Sequence, residues 1–154
     1  MKRKYFFVIL FLILAMFLVG CSGVTTPSIN LNGNWTATNT TTSTTYPFFD
    51  IGYVSTAKYN IIDNNGSLTI YNFRVIGQEY INWNVGYGTF NNSILTGNIS
   101  GSYLNIYGSI VSTIIYFEGT IYSSGISGSG TWIQTFSVSG YIYSASGTTI
   151  FIKG

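Results

Sequence analysis

Between residues 115 and 121 the chain reads Ile115-Tyr116-Phe117-Glu118-Gly119-Thr120-Ile121, with Ile, Phe, Gly and Ile at the odd positions and Tyr, Glu and Thr at the even ones. Alternation with a period of two puts one set of side chains inward and the other outward, which is the signature of a half-buried strand. The pattern returns in Leu31, Gly33, Trp35 and Ala37, in Ile81, Trp83, Val85 and Tyr87, and in Trp132, Gln134, Phe136 and Val138. Between such runs lie turn signals. The strongest is Asn64-Asn65-Gly66, since a type I′ hairpin turn needs positive φ at both central residues. Weaker ones are Gly77, Asn91-Asn92, Gly101-Ser102, Val111-Ser112-Thr113 and Ser123-Ser124-Gly125. Strands are expected at about 31–38, 53–63, 67–76, 79–90, 93–100, 103–111, 114–122, 126–138 and 147–153, with no helical stretch after residue 30. Thr, Tyr, Ile and Val between Gly, Asn and Ser are strand-and-turn chemistry.

Such a series of hairpins exposes two edges unless it closes. The expected fold class is therefore all-β, an antiparallel up-and-down β-barrel of about eight strands. Glycines inside strands, among them Gly86, Gly88, Gly97, Gly119 and Gly130, fit the sharp coiling of a small barrel. A β-sandwich is the main alternative and a β-solenoid the third.

The N-terminus carries Lys2, Arg3 and Lys4 before the uninterrupted apolar run Tyr5–Val19. That run suits the core of a signal peptide and falls short of the roughly 20 residues of a membrane span. Leu18-Val19-Gly20-Cys21 follows, and it resembles the bacterial lipoprotein lipobox at all four positions. The resemblance implies a signal helix over residues 1–20, peptidase cleavage between Gly20 and Cys21, and a diacylglycerol thioether on Cys21. A lipid-bearing Cys21 makes the membrane the first partner and the cell envelope the location. Ser22 after the Cys resembles the pattern sent to the outer membrane or cell surface in enteric bacteria. Cys21 is the sole cysteine, so an internal disulfide is excluded. Residues 21–30 read as the lipidated Cys and a flexible tether broken by Pro27, and residues 31–154 as one all-β domain.

Charge is scarce, at 6% of the residues. Without the leader, Lys58, Arg74 and Lys153 stand against Asp50, Asp63, Glu79 and Glu118, one net negative charge. Nucleic acid is not an expected partner, because phosphate neutralisation needs clustered Lys and Arg. Histidine is absent, so a Ser or Thr nucleophile lacks its usual base and no metal site or cofactor is expected. Acid pairs for glycoside hydrolysis have four candidates only, and Glu118 and Asp63 read as solvated. The chain is expected not to be an enzyme.

Gly33-Asn34-Trp35 in the first strand is similar to the G-x-W opening of lipocalins and avidins, the calycin barrels. The phrases Gly119-Thr120-Ile121 and Gly130-Thr131-Trp132 also resemble small bacterial lipocalin-like lipoproteins. That resemblance implies that Trp35 closes one barrel end, with Lys153 the one basic residue available to cover it, and that the interior takes a small apolar ligand. Against this stands a second reading, in which side chains fill the core and a Tyr, Thr and Asn surface contacts other envelope components. Tyr116 and Tyr122, outward by phase, are its candidate contacts, since Tyr offers large amphipathic area at low entropic cost. The hydroxyl-rich Thr38–Tyr46 reads as a loop, long enough to lid a barrel mouth.

Overall fold

A computed structural model describes residues 29–47 and 50–154 of the chain. The lipobox Leu18-Val19-Gly20-Cys21, the signal helix and most of the tether lie outside the described residues. Nine strands run along the rest: β1 Gly33–Thr44, β2 Val54–Asn64, β3 Ser67–Val75, β4 Asn82–Trp83, β5 Gly86–Asn91, β6 Ile94–Leu104, β7 Ile110–Ile121, β8 Ser127–Val138 and β9 Tyr141–Lys153. All pair antiparallel, each main strand with its sequence neighbour, and β1 with β9. The result is a closed eight-stranded up-and-down barrel. The two-residue β4 is an extra strand that prolongs the β5 edge of β6. Closure leaves no open edge in the main ring, which excludes the sandwich and the solenoid.

The alternation works as expected in most of the ring. Trp35, Ala37, Ile115, Phe117, Ile121, Trp132 and Phe136 all point inward and are buried. Asn65 and Gly66 both take positive φ in the β2–β3 turn, as do Asn92 and Ser93 between β5 and β6 and Ser139 and Gly140 between β8 and β9. Several glycines make room for rings inside a narrow barrel. A Cβ on Gly97 would enter the Phe117 ring, and one on Gly119 would meet Phe151.

Four expectations are corrected. Gly101-Ser102 and Val111-Ser112-Thr113 are not turns, because Gly101 pairs with Thr113 and Ser102 with Ser112 inside the β6–β7 ladder. The turn lies at residues 105–109, where the Asn105 side chain accepts the Tyr107 and Ser109 amides and Gly108 takes positive φ. Thr38–Thr44 is no loop either. Its β-branched threonines continue β1 as a strand paired to β9. Finally, the inward row read as Ile81, Trp83, Val85 and Tyr87 breaks at Asn84–Val85, where the chain leaves the ladder. Beyond the break the inward positions are Gly86, Gly88 and Phe90, and Val85 and Tyr87 face solvent. Glycine carries no hydrophobic mark, so this change of phase is invisible in the pattern.

The two barrel ends differ. At the proximal end, where the described chain begins and ends, Leu31 and Trp35 are fully buried and Ile29 packs on the same cluster. The Trp35 Nε1–H donates to the Leu31 carbonyl at 2.8 Å. Asp63 ties this end together, its carboxylate accepting the Leu31 amide at 3.2 Å and the Gly66 amide at 2.8 Å. It is thus a half-buried structural acid and not a freely solvated one. At the distal end a second cluster forms around Val111 and Phe136. Tyr46, just past β1, stacks on Phe136 with ring centroids 4.1 Å apart.

Candidate functional site

Inside the barrel lies a chamber of about 30 Å³, walled by Phe73, Phe117, Trp132 and Phe151 on its apolar side and by Thr41, Gln134 and Thr149 among its polar groups. A cavity of that size holds about two water molecules. Gln134 donates through Nε2 to the Thr113 hydroxyl at 2.9 Å, a buried pair. The buried Tyr59 hydroxyl, Gln78 Oε1 and Thr149 Oγ1, all on the chamber wall, have no protein partner among the described residues. Burial pushes the Tyr59 hydroxyl's pKa well above the ordinary tyrosine value, because a phenolate there would lose its hydration. The chamber is small and partly polar, and it offers no preformed room for an apolar ligand, whose sites occupy some 300–1,000 Å³.

The outer wall carries the larger concavity, a groove of about 570 Å³ across β5, β6, β7 and β8. Ladder register sets its two lips. Tyr87 pairs with Asn98, Asn98 with Tyr116 and Tyr116 with Ile133, forming one outward row. Thr89, Thr96, Glu118 and Thr131 form the other in the same way, with Thr89 and Thr96 sharing a hydrogen bond at 2.9 Å. Tyr87 and Tyr116 are two strands apart, about 10 Å, and both are more than half exposed. The groove can therefore present two aromatic faces, uncharged hydroxyl and amide groups, and one carboxylate.

Of the residues singled out in the sequence, Tyr116 lies in this groove. Tyr122 does not: it stands exposed beyond the end of β7 and donates to the Ser129 hydroxyl at 2.9 Å. Trp35 is at the proximal end, directly opposite Lys153 in the β1–β9 ladder, and the Lys153 ammonium donates to the Asn30 carbonyl at 2.8 Å. Gly20 and Cys21 lie outside the described residues. Tyr87 and Asn98 are additions that the sequence hid, Tyr87 by the phase change before Gly86. Among the described residues no three of His, Cys, Asp and Glu gather to hold a metal ion. Glu79 sits on an exposed loop, where the Gly77 amide donates to its carboxylate at 3.0 Å and holds its pKa below the usual value.

No family model, curated protein or solved structure matches this chain.

Proposed function

We propose that this is a lipid-anchored envelope protein, held through Cys21, whose barrel is a non-enzymatic interaction module binding a neutral envelope glycan along the outer groove. The contrast in volume carries the reading: about 30 Å³ remains inside, against about 570 Å³ outside. Side chains fill the core, while the groove offers what uncharged sugars need. Two Tyr faces serve for stacking, and Asn98, Thr96 and Thr131 for hydrogen bonds. The 10 Å between Tyr87 and Tyr116 favours a chain of sugars over a single ring. A calycin-like origin is supported by the up-and-down closure and by Lys153 set against Trp35.

Two measurements test it. Palmitate labelling should vanish in Cys21→Ala, and labelling that persists removes the anchor. Co-sedimentation with isolated cell-wall glycan should fall at least about tenfold in a Tyr87→Ala/Tyr116→Ala variant whose melting is unchanged, since truncating aromatic anchors costs that much at contact surfaces. Equal binding by that variant ends the groove reading.

The orphaned Tyr59, Gln78 and Thr149 groups favour a second reading, in which the chamber takes a small neutral polar molecule. Native mass spectrometry of the extracted protein should then show a co-purifying mass that Thr149→Val removes.

A further inference from the structure

The distal end is rimmed by large apolar side chains with nothing over them among the described residues. In the β6–β7 turn Ile106 is 91% and Tyr107 85% exposed, and beside the β8–β9 turn Ile142 is 76% and Tyr141 70% exposed. Leu104 and Ile110 flank the first turn and are also exposed. The two turns are neighbours, because β7 pairs with both β6 and β8. Exposed apolar area on this scale marks an interaction site.

We infer that these two hairpin tips dip into the interfacial zone of a lipid bilayer. Three observations select lipid over a protein partner. The two tips carry no charge: from Tyr80 to Ile152 the only charged side chain is Glu118, which lies toward the proximal end, and the charges of the distal end, Asp50, Arg74 and Glu79, belong to the β1–β2 and β3–β4 connections and the end of β3. Composition suits an interface, with aliphatic Ile beside amphipathic Tyr in each hairpin, side chains that partition to the hydrocarbon boundary and the headgroup level. Four of the five amides in the β6–β7 turn are satisfied internally as well, the Asn105 amide by the Ser109 carbonyl. Asn105 accepts the Tyr107 and Ser109 amides through its side chain, at 3.0 Å and 2.9 Å, and the Gly108 amide through its carbonyl at 3.0 Å. Those amides therefore need no water when the tip enters a medium that supplies none.

The inference is independent of the groove and compatible with an anchor at Cys21. The eight residues from Cys21 to Ile29 reach about 28 Å, close to the barrel's height of roughly 30 Å for tilted strands of this length. An anchored molecule can lie along its own bilayer with the distal tips in contact.

The test uses residues 22–154, which contain the entire self-closed barrel, and vesicles of phosphatidylcholine. The protein should float with the vesicles equally well in 0.1 M and 0.5 M NaCl, roughly the range over which screening removes charge-driven binding. An Ile106→Ser/Ile142→Ser variant should melt unchanged yet partition at least about tenfold more weakly, because two buried Ile side chains are withdrawn. Tryptophan placed by Tyr107→Trp should be quenched by brominated lipid. Failure to float, or flotation that the double Ser variant retains, overturns the inference. So does a rim-dependent dimer in sedimentation without flotation, which would make the occupant a second copy of this chain.

Discussion

The proximal and distal ends of the barrel are made from the same strands yet behave as different materials. The proximal end is sealed, with Leu31 and Trp35 seated inside it and the Trp35 indole N–H, the Leu31 amide and the Gly66 amide all hydrogen-bonded. The distal end turns large apolar side chains to the outside. Stability is thus concentrated where the chain enters and leaves, and the opposite end is left available for contact. A small barrel can afford this division because its ladder closes independently of either end.

The sharpest way to break the comparison is to remove the proximal seal. Trp35→Ala should cost about 3–5 kcal/mol in urea unfolding, the range for deleting a buried Trp, and a loss below about 1 kcal/mol would mean that the seal is not structural. Alkali should come next. Because Tyr59 has its pKa raised in the folded state, its contribution is fully present below the ordinary tyrosine value, near pH 10, and is lost as pH climbs beyond it. Melting temperature should fall steeply above about pH 10, and Tyr59→Phe should flatten that fall. At the distal end, Tyr46→Phe deletes the hydroxyl that meets the Tyr103 hydroxyl at 2.7 Å, which should cost about 1 kcal/mol. Burial first, and that hydrogen bond second, raise the pKa of Tyr103, so its alkaline titration should shift downward in the same variant.

Thr149→Val removes an unpaired buried hydroxyl at nearly constant shape and should be neutral or stabilising by up to about 1 kcal/mol. A clear destabilisation would reveal a water or ligand bound there. The smallest effect belongs to the rim. Ile106→Ser should change unfolding free energy by no more than about 0.5 kcal/mol, because that side chain is already in solvent.

Much of the fold was legible from the chain. Alternation in Leu31–Ala37, Ile115–Ile121 and Trp132–Val138 assigned strands and faces, and Asn65-Gly66 assigned a turn by its backbone requirement alone. Two kinds of residue defeated the reading. Threonine in Thr38–Thr44 reads as polar loop or as strand with equal ease, and only pairing with β9 decides. Glycine at Gly86 and Gly88 occupies inward positions without an apolar side chain, so the real phase of β5 was hidden and Tyr87 was placed on the wrong face. The same error concealed one lip of the groove, half of which is Tyr87 and Asn98. Tyr116 was legible because β7 keeps a strict period over its whole length. The distal rim was harder to see, since Ile106, Tyr107, Tyr141 and Ile142 look like ordinary core formers until the turns beside them are known.

The pairing of β1 with β9 also fixes an order of events in time. The first strand's partner on one side is the last to be synthesised, so the ring cannot shut until nearly the whole chain is available. Until then the growing molecule is an open sheet with an unpaired edge at β1. That long-range pairing makes final closure slow relative to the local hairpins, and the nascent chain needs protection from edge-to-edge association for as long as β9 is missing.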